Sequence, residues 1–551
     1  MNILLSNCCR KLIKVMGIFE LQTFININAK DCIKYVSIME EIDKFEKLKN
    51  GLRPILVFDV MPLVNLITKD NALDVLCGGR HQMHQKFFDD LFYRLSRKSE
   101  LIFFLDGSVK ESKIPTWSKR QNQKYEDHLD IINYVDQGVP LHVIESKHRS
   151  KLYVNILLNV IEASCRKYGQ LYYAVHEECD QELARFAFKS NRVLAVLSND
   201  SDFLIFPGSW RYFSLRDLNP RTLTTREFDR KAFRKALQLR QFQMPIFASL
   251  AGNDFVPLYD LQPLHKILFS NRKNKFPEIS KYVRKNFKTL QSRSDVVKIL
   301  KKLLSNNITN ETFIKIFHSL ESYNIIDEVE NDNSHDHFLY DHNLFTYNIL
   351  NDVSLVFSLV FYDLRQSHSP SYYNLSVPMF QRQAGILLQH HSSLSNSFLT
   401  IYTKKNHHSK YKKYLVEPTF PPFIVPSLRE LYSDNIEVDD IRFDLLKWSI
   451  YWKRLEDFNF KLIPRQFLTD VLTIGFMIQE RLITSMEADI FLWTIINVEW
   501  GSIPRNLKPP EKLHPKAFRL AFAYVKLFAN IDRSIEICGL KKRFGVNILN
   551  L

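Results

Sequence analysis

Glycine is scarce in this chain, with 14 among 551 residues, and neither GxGxxG nor GxxxxGK[ST] occurs. The sequence therefore argues against a protein built on a glycine-rich phosphate-binding loop. The seven cysteines are scattered and include no CxxC pair. This argues against a zinc site or a disulfide framework and favours reduced thiols in the cytosol or nucleus.

Long hydrophobic runs are also missing. The longest apolar stretch, 353–362, is about half of the roughly 20 residues that a membrane span requires. The basic residues near the amino terminus follow a very short apolar patch, which is the wrong order for a secretory signal. We therefore expect neither a membrane protein nor a secreted one.

What the chain has is ordinary globular composition and an excess of positive charge. Hydrophobic residues make up 45% and charged residues 25%, and 75 Lys and Arg face 60 Asp and Glu, a net charge of +15. The length suggests two to four domains. A basic surface attracts polyanions, of which nucleic acid is the commonest large one, although a merely basic soluble protein has the same balance.

Short apolar runs alternate with segments of helical spacing in the first half of the chain. The predicted strands are 55–58, 101–105, 171–175 and 193–197, and the predicted helices are 73–98, 151–168 and 178–188. Fully apolar strands that alternate with helices indicate an α/β fold with a parallel sheet covered on both faces. The pattern fades after about residue 262, and residues 427–538 are mostly helical in character.

Acidic residues follow these strands. Asp59 and Asp106 end two of them, Glu178 and Asp180 follow a third, and Asp200 and Asp202 follow a fourth, while Asp254 stands in SLAGNDF after a predicted helix. A single Asp after a strand is usually a helix cap or a turn residue. Seven acids in five motifs instead predict a shared site, because the carboxyl ends of parallel strands form one crevice.

Such a cluster repels itself unless protons or cations neutralise it. Carboxylate oxygens suit Mg²⁺ or Mn²⁺, and two such ions stabilise the attacking and leaving oxygens of a phosphodiester. We therefore take all seven acids as candidate metal ligands. No small-molecule cofactor is predicted.

The motifs together resemble the flap endonuclease/XPG nuclease superfamily, and within it the asteroid proteins. The quoted strings are VFDVMPLV, FFLDG, HEECDQELA, SNDSDFLIF and AGNDF, which bring the seven acids in the family's order over roughly 16–260. An alternative register in the third motif uses Glu177 and Cys179 instead of Glu178 and Asp180, and would lose one ligand. The resemblance implies a PIN-like fold and a metal-dependent nuclease for DNA with single-stranded, flap or overhang character, active in DNA repair in the nucleus.

Two basic residues stand where flap nucleases carry a Lys and an Arg that approach the scissile phosphate. They are Lys113 and Arg120, and the resemblance implies that they orient the phosphate. A solvated helix face is the other interpretation, since further lysines lie nearby. The string MGIFELQTFI resembles the start of family members, so we take Met16 as the natural first residue, which leaves Gly17 near the active site.

The resemblance also organises the rest of the chain. We expect a variable extension (1–15), the two parts of the nuclease domain (16–150 and 151–262), a basic helical segment (263–326), an acidic linker (327–345) and a mainly helical domain (346–551). The family's glycine-rich DNA clamp is missing after Asp254. The basic residues of 263–310 either contact phosphates instead or form a solvated face. We expect the segments 404–413 and 418–426 to be an exposed connection, and the later Trp residues to be core rather than base-stacking platforms.

A different class of function stays open. The α/β domain is alternatively a scaffold that binds nucleic acid or a signalling partner without cutting, and the uncertain third motif is where a ligand would be lost. A haloacid-dehalogenase-like phosphatase is set aside, because it needs Asp-x-Asp at its first strand and this chain has Met61 there.

Overall fold

The computed structural model describes most of the chain. The described residues are 17–68, 76, 81–148, 156–269, 274–289, 293–304, 309–325, 344–359, 361–365, 371–391, 394, 397–451, 462–502 and 508–541. The expected extension at 1–15, the proposed start at Met16 and nearly all of the expected linker 327–345 lie outside them.

Two compact units share the chain, and they are interleaved along the sequence. The first comprises Met1–Leu66, Lys86–Gly107 and Ile161–Asp332, and the second comprises Ile67–Gln85, Ser108–Val160 and Asn333–Leu551. The contiguous domain boundaries expected from the sequence stay predictions, because compactness alone does not fix where a domain begins.

The helices are numbered here in chain order. They are α1 (Leu21–Asn28), α2 (Ile38–Leu48), α3 (Val64–Thr68), α4 (His81–Ser96), α5 (Ile114–Asp136), α6 (Leu141–His148), α7 (Ile156–Tyr168), α8 (Cys179–Lys189), α9 (Arg230–Leu237), α10 (Met244–Ala251), α11 (Leu258–Phe269), α12 (Lys275–Asn286), α13 (Arg293–Leu304), α14 (Asn310–Ser322), α15 (Leu344–Asp352), α16 (Tyr372–Leu388), α17 (Leu428–Leu431), α18 (Asp439–Ser449), α19 (Leu468–Gln479), α20 (Ser485–Glu499) and α21 (Pro515–Ile537). Among these helices, none has the length and apolar content to cross a bilayer.

A seven-stranded sheet forms the centre of the first unit. Its strands are β1 (Ile33–Ser37), β2 (Ile55–Asp59), β3 (Glu100–Asp106), β4 (Gln170–Ala174), β5 (Val193–Ser198), β6 (Arg211–Ser214) and β7 (Thr224–Phe228). Their spatial order is β1-β7-β6-β5-β2-β3-β4. Strands β2 to β6 pair in parallel, whereas β1 and β7 are antiparallel. The α/β fold class is confirmed, as are the four predicted strands.

Both faces of the central strands are covered. Phe58 of β2 and Phe103 of β3 pack against Phe92 of α4, with ring centroids 5.8 and 4.8 Å from that of Phe92. The alternate residues of β2 and β3 face the other way, where Val57 joins the apolar side of α8 in one buried cluster. This alternation is the reason that these strands are apolar throughout.

The chain reverses direction across the sheet at β2. It passes from β2 to β3 and β4 on one side, then returns through α8 to β5 on the other side. At such a reversal the loops on the two sides of an open α/β sheet diverge, and the crevice that forms at the carboxyl ends of the strands, here β2 and β5, is where such sheets bind ligands.

The second unit contains a small sheet and a group of helices. The sheet has the order β10-β9-β8, with β8 (Ser354–Val356), β9 (Leu399–Thr403) and β10 (Lys412–Val416). Strands β9 and β10 are antiparallel, so most of the connection expected at 404–413 is the loop of a β-hairpin. Helix α21 packs against α16 and α19.

The expectation that the later Trp residues are core is wrong for two of them. Trp493 is 69% exposed and Trp500 is 72% exposed, on α20 and directly after it. Helix α20 is apolar on nearly all sides, so its sequence does not indicate which face is buried. In the structure, Ala488 and Ile495 are its buried residues.

Candidate functional site

Asp59 lies at the carboxyl end of β2, directly beside the end of β5. The register pairs Phe58 with Leu197, which places Ser198 opposite Asp59, and the Ser198 hydroxyl donates a hydrogen bond of 2.7 Å to Asp59 Oδ2. Asp59 is 3% exposed. Burial raises the pKa of Asp59 to about 7; the Ser198 hydrogen bond opposes this, and the charge of Asp106 adds to it.

Asp106 lies on the same side of the sheet, one strand away. Asp59 pairs with Phe104 of β3, and Asp106 is two residues further along, so both carboxylates extend from one face. Gly107 follows, and a Cβ there would collide with the Ala174 carbonyl oxygen. The glycine therefore lets the ends of β3 and β4 approach closely.

Asp200 and Asp202 lie in the turn that follows β5. Asp200 caps the short helix Ser201–Leu204, since its Oδ1 accepts a hydrogen bond of 2.8 Å from the Asp202 amide. Both residues are buried. Burial raises the pKa of Asp200 well above its usual range, and the charges of Asp202, Asp254 and Asp59 raise it further. Asp200 is thus a helix cap and also a member of an acidic cluster.

A tyrosine from a distant helix binds Asp202. Tyr323 follows α14, and its hydroxyl donates a hydrogen bond of 2.9 Å to Asp202 Oδ1. The same hydroxyl accepts a hydrogen bond of 3.0 Å from Asn253 Nδ2. Asn253 directly precedes Asp254, so one buried hydroxyl connects two of the acidic motifs.

Asp254 is exposed, in the loop after α10. It lines a cavity of about 250 Å³ together with Gly17, Phe19, Gly252 and Leu258, among others.

Gly17 holds the amino-terminal segment against the acids. It has a φ of +79°, and a Cβ there would collide with Asp200 Oδ1. The next amide, of Ile18, donates a hydrogen bond of 2.8 Å to Ser201 Oγ. The backbone at Gly17 therefore fits directly against Asp200, and only glycine permits both its conformation and this approach.

The first turn of α8 brings the third motif to the same place. Cys179 is buried, and burial raises the pKa of its thiol well above the usual range, with the charges of Asp106, Asp59 and Asp180 adding to the effect. Glu178 is half-buried as the cap of α8, and its amide donates to Gln181 Oε1 at 3.3 Å.

Glu177, the acid of the alternative register, already has a partner. The guanidinium of Arg185 binds both of its carboxylate oxygens, at 2.5 and 3.1 Å. An acid held by two charge-assisted hydrogen bonds is less available as a metal ligand than one beside other acids.

Six of the seven predicted acids interact electrostatically through shared neighbours. They are Asp59, Asp106, Asp180, Asp200, Asp202 and Asp254. Glu178 adjoins this acidic cluster at the start of α8. The two basic residues belong to the second unit, where Lys113 ends the short helix Glu111–Lys113 and Arg120 is exposed on α5. Their proposed role stays a prediction.

The donor set fits a divalent cation in its chemistry, since it offers hard oxygen ligands and a surplus of buried negative charge. In the part of the chain that the structure describes, however, no group of three His, Cys, Asp or Glu side chains is close enough to hold a metal ion. The described side chains therefore form no closed ligand set, and the role of the seven acids as metal ligands stays a prediction.

Sequence reasoning missed the partners of these acids. Ser198 lies two residues before Asp200, at the end of an apolar strand. It would have been predicted if polar residues at strand ends had been considered along with the acids. Tyr323 is 121 residues from Asp202 and carries no sequence signal. Gly17 was noted only as an amino terminus, yet its positive φ and its fit against Asp200 depend on the folded chain.

Comparison with known proteins bears out the asteroid resemblance. A family model described as "FAM120A-like domain" matches residues 237–326. The single-strand DNA endonuclease ASTE1 of Danio rerio is 25% identical over 279 residues, which cover 48% of this chain and 36% of that protein. The constitutive coactivator of peroxisome proliferator-activated receptor gamma of Bos taurus is 25% identical over 244 residues, covering 44% of this chain and 34% of that protein. The chain spans about a third of the length of these relatives.

Two solved structures that contain DNA also match parts of the chain. The catalytic core of Rad2 in complex with DNA substrate matches with 17% identity and a TM-score of 0.31, covering 56% of this chain and 84% of that one. Human GEN1 in complex with Holliday junction DNA matches with 13% identity and a TM-score of 0.29, covering 70% of this chain and 83% of that one.

Proposed function

We propose that this chain, whose homologues include an asteroid-type endonuclease, is a metal-dependent structure-specific nuclease that hydrolyses phosphodiester bonds in DNA. One observation carries the proposal. The charge of Asp106 raises the pKa of the buried Asp59, and the charges of Asp202, Asp254 and Asp59 raise the pKa of the buried Asp200, so acids from strand ends and loops act on one another. Such an arrangement is unfavourable for folding alone, and divalent cations would relieve it.

Each acid has a place in this proposal. Two Mg²⁺ or Mn²⁺ ions, when bound, would activate water and stabilise the attacking and leaving oxygens of the phosphodiester. The residues that would hold them are Asp59, Asp106, Glu178, Asp180, Asp200, Asp202 and Asp254. Ser198 and Tyr323 would fix the orientation of two of these carboxylates through their hydrogen bonds. Lys113 and Arg120 would orient the phosphate.

The substrate we propose is DNA with single-stranded character, such as a flap or an overhang. The name of the Danio rerio relative supports single-stranded DNA, and the excess of basic residues supports a polyanion. The place of action would be the nucleus.

The test is cleavage of labelled flap, overhang and single-stranded DNA with Mg²⁺ or Mn²⁺ by the wild type, Asp200→Asn and Asp202→Asn. The matched control is Asp470→Asn, which removes a buried aspartate of the second unit, where Asp470 Oδ1 accepts a hydrogen bond from the Tyr524 hydroxyl. Metal-dependent cutting that is lost in the first two variants and kept in the control is expected. Cutting that survives both substitutions would place the chemistry elsewhere.

A second candidate function is a scaffold that binds nucleic acid or a signalling partner without cutting. The coactivator relatives support it, as does the absence of a closed group of three metal-ligating side chains among the described residues. Tight DNA binding with no cleavage in either metal would favour this function.

A further inference from the structure

One long stretch of the second unit contains no acidic residue. From 364 to 416 the chain has seven Lys and Arg residues and no Asp or Glu. Five of these cations lie between 404 and 413, in and beside the loop of the β9–β10 hairpin. Four of them are exposed lysines, namely Lys405, Lys410, Lys412 and Lys413.

The hairpin loop is ordered by its own hydrogen bonds. Ser409 Oγ accepts from the amides of Lys405 and Asn406, each at 3.1 Å, and Asn406 Oδ1 accepts from the Ser409 amide at 2.9 Å. The lysines therefore extend from a fixed backbone rather than from a loose linker, which lowers the entropy lost when they bind a ligand.

The charges of these four lysines are not paired with carboxylates in the part of the chain that the structure describes. Two of them lie over aromatic rings instead: Lys405 Nζ is 5.0 Å from the ring centroid of Tyr373, and Lys412 Nζ is 5.4 Å from that of Tyr414.

The hairpin packs on the amino-terminal half of α5 within the same unit. Trp117 meets Tyr411 edge to face with centroids 5.4 Å apart, and the Tyr411 amide donates to Asn122 Oδ1 at 3.3 Å. On this part of α5, Lys119 and Arg120 are exposed. The helix and the hairpin thus contribute cations to one region. Among the described residues, Glu126 is one acidic neighbour there, and its charge acts on the buried Lys404.

We propose that this basic hairpin surface, formed by Lys405, Lys410, Lys412 and Lys413 together with Lys119 and Arg120, binds the phosphate backbone of nucleic acid. Flexible Lys and Arg side chains on a fixed backbone contact successive phosphates without recognising the base sequence. This surface would bind the DNA strand that the proposed nuclease cuts. The proposal rests on the proposed function only in taking DNA as the nucleic acid. Lysines on the edge strand β10 also discourage pairing with other sheets, which is the competing explanation.

The test measures binding without cleavage. Labelled single-stranded DNA is titrated in EDTA with the full chain, with Lys410, Lys412 and Lys413 all changed to Gln, and with a charge-matched control in which Lys47, Lys49 and Lys189 become Gln. These three control lysines are exposed and precede β2 and β5, at the opposite end of those strands from the acids. For the hairpin variant we expect an affinity lower by about tenfold. The slope of log K against log salt concentration should become shallower by about 2, because each of the three lost phosphate contacts contributes about 0.7 on single-stranded DNA.

Several results would overturn the proposal. An equal loss of DNA affinity in the control variant would mean a general effect of charge. Unchanged affinity in both variants would mean that the hairpin lysines only protect the edge strand. Loss of binding to phosphatidylserine vesicles without loss of DNA binding would assign the surface to a membrane. Thermal unfolding of each variant checks that the fold is kept. If DNA binds through the hairpin but is never cut with metal, the proposed function fails and this proposal stands.

Discussion

Tyr323 donates a hydrogen bond of 2.9 Å to Asp202 and thereby ties the end of α14 to the acidic crevice, 121 residues away in the chain. The tyrosine lies within the segment 237–326 that the family model matches, whereas Asp202 belongs to the sheet. This helical segment is therefore a support for the acidic cluster and not only a cover for the apolar core.

Replacing Tyr323 with Phe removes this donor while keeping the ring. We expect a loss of about 1–2 kcal/mol in the free energy of unfolding, because a buried charge-assisted hydrogen bond is removed. We also expect the rise in melting temperature caused by Mn²⁺ to shrink, because Asp202 loses a fixed orientation. Denaturant unfolding and thermal scans with and without Mn²⁺ measure the two effects.

Tyr212→Phe is the control for that variant. The Tyr212 hydroxyl is buried, and it has no hydrogen-bond partner in the part of the chain that the structure describes. Its removal should leave stability unchanged or slightly higher. A loss of stability equal to that of Tyr323→Phe would contradict the view that the hydrogen bond to Asp202 is what matters.

Because Asp59 is buried, we expect the free energy of unfolding to fall as the pH rises. Its pKa increases from 3.8 in the unfolded chain to about 7 in the fold, so between these values the folded state holds a proton that the unfolded state has lost. Stability due to this group is complete below about pH 4 and is lost as the pH approaches 7, by an amount on the order of 4 kcal/mol.

Asp59→Asn should flatten this pH dependence between pH 5 and 7.5, because the amide mimics the protonated acid. The melting temperature in EDTA across that range measures it. Asp470, whose pKa is also raised to about 7 by burial, gives a slope of the same sign from the second unit. Asp470→Asn should therefore reduce the slope as well, but only Asp59→Asn should also reduce the stabilisation by Mn²⁺. If Asp59→Asn and Asp470→Asn changed the stabilisation by Mn²⁺ equally, Asp59 would not be a metal ligand.

Gly17→Ala should damage both stability and the acidic cluster. The substitution forces an L-residue to a φ of +79° and places a Cβ against Asp200 Oδ1. Gly51→Ala is the matched control, with a φ of +83° and open space around the new Cβ. The control should lose about 1 kcal/mol from the backbone alone. Gly17→Ala should lose more and should bind Mn²⁺ more weakly, which thermal scans with and without Mn²⁺ detect.

The sequence predicted the parts of the fold that follow from uninterrupted apolar runs. Strands β2 to β5 and helix α8 came out within two residues, because each strand coincides with an uninterrupted apolar run, although β4 is partly exposed while β2 and β5 are buried throughout. The strands β1, β6 and β7 were missed, since they are short and mix polar with apolar residues, and β1 and β7 pair antiparallel, which the parallel pattern does not describe.

For the site, sequence order predicted which acids end strands, but not which polar groups hold them. Asp59 and Asp200 were accessible to reasoning because each follows an apolar strand. Their burial and their raised pKa values depend on the helices and on the amino-terminal segment that close over them, and those contacts join residues far apart in the chain. Likewise, Trp493 looked like core because hydrophobicity alone does not reveal which side of a helix a neighbour covers.

The two registers of the third acidic motif name different metal ligands, which substitutions distinguish. If Glu178 and Asp180 are the ligands, Asp180→Asn should abolish Mn²⁺ stabilisation and any cleavage, while Cys179→Ala should leave both in place. Cys179 is buried with its thiol protonated, so it serves as packing in that case.

Glu177→Gln completes the comparison. It breaks the ion pair with Arg185, whose side chain is 13% exposed, and should lower the free energy of unfolding by about 1–3 kcal/mol without changing the response to Mn²⁺. The response is measured as the shift in melting temperature with Mn²⁺ for all three variants at one pH. The alternative register is the correct one if Glu177→Gln and Cys179→Ala instead lose the Mn²⁺ response while Asp180→Asn keeps it. In that case Glu177 and Cys179, rather than Glu178 and Asp180, would face the metal.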